Sequence, residues 1–158
     1  MRKRSKYRPR SVITDPLSLM RPADPERKRS VMARFDSALL AIACGRHPGV
    51  AEWRDLSDAI NTVETMALGM GKLVPAEVMP HVTQAIEGMV HASRRFKDGQ
   101  GMRLDAQGLK ALRSVLDIYQ QCLDGFTEHE MAQAQAETQR RVNALLNSKH
   151  QRAEVIAL

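Results

Sequence analysis

Residues 50–68 read VAEWRDLSDAINTVETMAL, and their spacing decides the fold. Trp53, Leu56, Ile60, Val63, Ala67 and Met70 step by three and four. That interval places them on one stripe of an α-helix. Gly69 and Gly71 supply a stop. The periodicity is the strongest in the chain.

Working outward, the flanking segments read the same way. Upstream, Asp24 suits an N-cap, Pro25 the first helical position and Gly45 a C-terminal stop. The helix expected over 25–44 carries the stripe Val31, Phe35, Ala38, Leu39 and Ile42. Gly45, His47-Pro48 and Gly49 make a loop. Downstream, Pro80 cannot donate a backbone hydrogen bond. A short turn and then a helix, or a kinked helix, therefore starts near Pro75 or Pro80 and stops at Asp98-Gly99. Its inner face is Val82, Ala85, Ile86, Met89, Val90 and Phe96. Asp105 caps a fourth helix with the stripe Leu109, Leu112, Leu116, Tyr119 and Leu123, ended by Gly125. Thr127 and Glu130 have the spacing of a capping box. They open a fifth helix to about Asn147, whose inner face is Met131, Ala134, Thr138, Val142 and Leu145. No segment alternates long enough to be a strand, and no repeat of about 20–50 residues is visible. The expectation is an all-α bundle of about five mostly antiparallel helices with short loops.

The chain has 158 residues, 43% apolar but only 4% aromatic, so Leu, Ile, Val, Met and Ala fill the core. That excludes a two-domain enzyme, a collagen-like fibre and a wholly disordered chain. No run approaches about 18 apolar residues, so no membrane span is expected. Three regions follow: a basic arm over 1–23, the bundle over 24–150 and an apolar tip over 151–158. Pro9, Pro16 and Pro22 interrupt the arm, which reads as disordered. Leu17, Leu19 and Met20 form one apolar cluster in it that could dock on the body. The tip, Val155-Ile156-Ala157-Leu158, either docks or pairs with a neighbouring chain, which opens a route to a homo-oligomer. Pro9, Arg10, Thr14, Asp15 and Pro16 break any signal-peptide core, and a cytoplasmic location is expected.

Charge is partitioned unevenly. Residues 1–34 hold eleven cations and three carboxylates, a net +8, whereas the remaining 124 residues are at −2. A cationic arm on a near-neutral body suits a polyanion, since each phosphate neutralised releases counterions. Arg2, Lys3, Arg4, Lys6, Arg8 and Arg10 are the candidate phosphate contacts. Basic termini also aid solubility, which is the plainer reading. Arg94, Arg95, Lys97 and Arg103 form a second cluster around Gly99–Gly101. There the helix macrodipole alone would favour cations, and a phosphate-contacting loop is the functional alternative. Tyr7 is the arm's one aromatic, so base stacking would be minimal.

Catalytic patterns are missing. There is no Walker loop, dinucleotide fingerprint, nucleophile elbow or H-E-x-x-H. Gly69/Gly71 and Gly99/Gly101 are two G-x-G triplets, too short for a phosphate cradle and explained by helix termination. Glu77/His81 and Glu87/His91 are i,i+4 pairs, which read as surface pairs rather than as metal ligands. Cys44 and Cys122 both fall on apolar stripes and read as buried, inert thiols. No cofactor, metal or catalytic residue is expected, and the chain reads as a non-enzyme.

The opening MRKRSKYRPR, followed by Asp15-Pro16-Leu17, resembles the starts of uncharacterised small basic helical proteins from proteobacterial phages, prophages and plasmids. The likeness covers about the first 20 residues and then passes into a generic helical body with a W-x-x-L and an N-x-x-E, matched here at Trp53/Leu56 and Asn61/Glu64. The resemblance implies a mobile element in a bacterial cell. Two functions are then open. One is a nucleic-acid-associated regulatory protein acting through the arm. The other is a phage-encoded inhibitor or adaptor that binds a host protein through a helical face. A third reading is a structural or oligomeric bundle without a dedicated ligand, and exposure of Met32, Met66 or Leu146, outside the stripes, would favour the latter two.

Overall fold

The computed structural model describes residues 21–22, 24–44, 48–69 and 74–147. Five α-helices carry them: α1 (Pro25–Cys44), α2 (Val50–Gly69), α3 (Met79–Lys97), α4 (Ala106–Gly125) and α5 (Glu128–Asn147). A single 3-10 turn (Ala76–Val78) precedes α3, and Pro80 sits in the first turn of α3. The missing proline N–H is harmless there, because first-turn donors have no intrahelical partner. No strand occurs among the described residues; the one extended pairing is an isolated bridge between Pro22 and Thr127. Of the arm expected over 1–23, residues 1–20 and 23 lie outside the described residues, as do the whole tip expected over 151–158 and Met70.

The caps follow the sequence. The Arg27 N–H donates to Asp24 Oδ2 at 3.4 Å. Asp105 Oδ1 accepts from the Gly108 N–H at 2.7 Å. The Thr127 N–H donates to Glu130 Oε2 at 2.8 Å while the Glu130 N–H donates back to Thr127 Oγ1 at 3.2 Å, a complete capping box. Gly49 opens α2 in a related way, its N–H donating to Glu52 Oε2 at 2.7 Å.

The core is built on α2 and α4. Helix α2 packs against α1, α3, α4 and α5, and α4 packs against α1, α2 and α3. Leu56, Ile42, Val63, Met66, Val82, Leu112 and Val115 are wholly buried. Helix α4 runs antiparallel to α1, because Lys28 meets Asp124 and Phe35 meets Tyr119. The Phe35 and Tyr119 rings stand edge to face, 5.1 Å apart. Helix α3 also runs antiparallel to α4, with Gly88 facing Gly108 and Arg95 facing Asp105. A Cβ added to Gly88 would lie 2.7 Å from the Gly108 Cα, so the two backbones touch. Only glycine permits that approach.

Several expected core positions are corrected. Cys44 is exposed, Phe96 is 42% exposed and Leu145 is 39% exposed. Each lies in the last turn of its helix, where the apolar stripe outruns the neighbour meant to cover it. Val31, Ile86, Leu109 and Val142 are half-buried. Met66, placed outside the stripe, is wholly buried against the body. Its neighbours Thr62 and Thr65 are buried too, because α2 is covered on more than one side. Their hydroxyls donate to the carbonyls of Asp58 and Asn61, at 2.7 and 2.8 Å. Among the described residues no buried side-chain polar atom lacks a partner.

Candidate functional site

The α3–α4 turn holds four of the ten candidate cations. Gly99 (φ 74°) closes α3: the Gly99 N–H donates to the Phe96 carbonyl at 3.1 Å and the Gln100 N–H to the Arg95 carbonyl at 2.9 Å. These are the two bonds of a Schellman stop, which requires a left-handed residue at Gly99. Gly101 follows at φ 82°. The glycine spacing is therefore a turn device, as the sequence indicates.

Arg95, half-buried, organises this turn. Its Nη1 donates to the Arg103 carbonyl at 2.9 Å, and Nη2 lies 3.6 Å from Asp105 Oδ2. Asp105 in turn caps α4. One guanidinium thus ties the end of α3 to the start of α4. Lys97 and Arg103 are exposed and have no ion pair among the described residues. Arg94 is exposed as well. Within the cluster read as equivalent in sequence, Arg95 is tied into the turn while Lys97 and Arg103 face outward.

The root of the arm lies at the other end of the bundle. The Glu128 N–H donates to the Arg21 carbonyl at 3.0 Å, and Pro22 bridges to Thr127, beyond the C-terminus of α4. The α3–α4 turn precedes its N-terminus. The twenty residues of α4 separate the two by about 30 Å at 1.5 Å per residue. Arg2, Lys3, Arg4, Lys6, Arg8 and Arg10 lie outside the described residues, but twenty extended residues can reach about 70 Å at most.

Cations near the root are already engaged. Lys28 Nζ lies 3.1 Å from Asp124 Oδ1, Arg27 lies 3.7 Å from Glu128, and Arg34 lies 3.3 Å from Asp55. Arg141 joins α5 to α2, its Nη1 donating to Thr65 Oγ1 at 3.0 Å and its Nη2 lying 3.5 Å from Glu64 Oε2. Sequence reasoning missed this tie; a cation spaced seven residues from the Ala134 core position was its one trace.

The other chemical candidates are scattered. Glu77, in the 3-10 turn, and His81, Glu87 and His91 of α3 are all exposed, and ten residues turn the two pairs about 80° from each other. No group of three or more His, Cys, Asp and Glu suited to a metal forms among the described residues. Burial pushes the Cys122 thiol up to about 11, which keeps it protonated and unreactive. Among the described residues no helix is long and apolar enough to cross a membrane. No protein-family model, curated protein or solved structure matches the chain.

Proposed function

We propose that the chain is a non-enzymatic accessory protein of a phage or other mobile element, acting in the bacterial cytoplasm. In this reading it associates with nucleic acid through the basic N-terminal arm and has a regulatory role. The partition of charge carries the proposal: +8 on the first 34 residues against −2 on the rest. Ion pairing sharpens it. Arg27, Lys28 and Arg34 are matched by carboxylates of the body, so the reading rests on Arg2, Lys3, Arg4, Lys6, Arg8 and Arg10 rather than on these three. Lys97 and Arg103 offer a second, smaller contact. A duplex lying along α4 and touching both ends would span about nine base pairs at roughly 3.4 Å each.

The test is a salt titration of binding to duplex DNA, single-stranded DNA and RNA. Full-length protein, a chain lacking residues 1–20 and a Lys97→Ser/Arg103→Ser variant are compared. Six arm contacts give a log–log slope of about −5 on duplex DNA. Loss of the arm should abolish most of that slope, and the double variant should reduce it by about 2. Absence of binding at about 50 mM salt would overturn the reading.

A second reading has its own support. Leu40 is 63% exposed over a groove that follows the α1–α4 seam, beside Met32, Ala43 and Leu116. Leu146 is exposed too. An inhibitor or adaptor could grip a host protein through such a face. It would form a stoichiometric complex with that protein and show little affinity for naked DNA.

A further inference from the structure

The seam between α1 and α4 opens outward as a groove, with Met32, Leu40 and Ala43 on its α1 side. Leu40 is 63% exposed, more than any other large apolar side chain among the described residues. Three charged groups stand around it: Asp36 on α1, and Arg113 and Asp117 on α4. All three are exposed, and none forms an ion pair among the described residues. Arg113 and Asp117 are four residues apart, so they share one face of α4 about 6 Å apart along it.

The packing of α1 on α4 sets the levels of these groups. Phe35 meets Tyr119 and Lys28 meets Asp124. Counted antiparallel from those contacts, Asp117 is level with Asp36, and Arg113 is level with Leu40. The groove therefore has a carboxylate end and a guanidinium end. Such a pattern is its own complement when a second copy is laid on it antiparallel, about a twofold axis.

We propose that this face binds a second copy of the chain, the two α4 helices lying antiparallel with the axis midway between Arg113 and Asp117. Arg113 then faces the partner's Asp117, and Asp117 faces the partner's Arg113. Asp36, level with Asp117, offers the same guanidinium a second carboxylate. The axis passes about two residues from Leu40, so Leu40 and the partner's Leu40 lie about 6 Å apart along the seam, beside the small Ser37 side chains. The other twofold, with its axis along the helices, would set Asp36 against the partner's Asp117, and like charge disfavours it. Any other occupant must supply a matching charge pair; a second copy already carries one. The contact runs from Met32 to Ala43, about 17 Å along α1. Two helices each about 10 Å wide then give roughly 340 Å² per copy, below the ~800 Å² of a standard interface, so association is weak and concentration-dependent. The inference goes beyond the nucleic-acid reading and does not rest on it.

Sedimentation equilibrium of the full-length chain, over about 5–500 µM, tests it. The average mass of the parent should rise from one copy toward two across that series. Arg113→Asp and Asp117→Arg should each stay at one copy, because each face then repels itself. Their equimolar mixture should dimerise again, since each chain carries the charge the other lacks. An intrachain pair between 113 and 117 could not produce that rescue on mixing. Leu40→Asp should also stay at one copy. All three substitutions are on exposed positions, and circular dichroism matching the parent's checks that each variant is folded. A parent that remains at one copy at about 500 µM would overturn the proposal. So would folded single variants that dimerise as the parent does, or a mixture of folded variants that remains at one copy.

Discussion

Arg141 shows how one side chain can hold an element that has few other anchors. Helix α5 buries only Met131, Ala134 and Thr138. Its second half is fastened to α2 by the Arg141 bonds to Thr65 and Glu64. A hydrogen bond to a charged group contributes about 1.5–3 kcal/mol, less where water reaches it. Arg141→Met keeps the stem and removes the bonds. It should lower the urea midpoint by an amount equivalent to about 1–2 kcal/mol, and faster amide exchange should be confined to 138–147. The two thiols separate at the same scale. Cys44 is exposed, while Cys122 is buried and its pKa is raised to about 11. An Ellman titration of native protein should count one thiol promptly and the second only in denaturant.

Among the elements, the start of α5 carries a pH-sensitive cap. The Thr127 N–H and hydroxyl both donate to Glu130, holding its carboxyl below the ordinary range. A depressed carboxylate stabilises the fold above its unfolded pKa, and that contribution fades as pH falls through the lower folded value. Glu130→Gln should therefore be less stable than the parent near pH 7. The gap should close as pH drops below about 4.3. Thermal melts of both chains between pH 2.5 and 7 check this. The capping box was legible because S/T-x-x-E is a local chemical rule. So were the starts at Asp24 and Asp105 and the stop at Gly99, each satisfying orphan backbone groups within a few residues. Phe96, Cys44 and Leu145 were not legible as exposed. A stripe gives the direction a side chain points, but not how far the opposing helix extends. Arg95 was not legible as a tie, because its partners, the Arg103 carbonyl and Asp105, meet it only when the turn closes.

For the molecule as a whole, helix count and class could be read from periodicity, while the order of contacts could not. That α2 would touch every other helix follows from the burial of Thr62, Thr65 and Met66, outside its main stripe. The meeting of Gly88 and Gly108 had a trace in the sequence. A glycine inside a helix costs about 1 kcal/mol relative to Ala and needs a reason. The arm and the α3–α4 turn are both basic, but the described root of the arm and that turn lie at opposite ends of α4. Any joint contact with a polyanion must be made over that length.

The α3–α4 pair also has a bearing on how quickly the chain finds its structure. It is the most extensive helix pair in the fold and is joined by residues 98–105 alone. Its closure costs little chain entropy, and the Schellman stop, the Asp105 cap and the Arg95 bridge all act within the turn. This hairpin is the natural nucleus, assembled before α1 and α5 dock. Gly88→Ala forces the two backbones apart and should cost about 1–3 kcal/mol. In stopped-flow chevrons its effect should fall on the refolding arm, whereas Arg141→Met should fall on the unfolding arm. Two substitutions of comparable cost would then separate in time: one delays the birth of the fold, the other shortens its life.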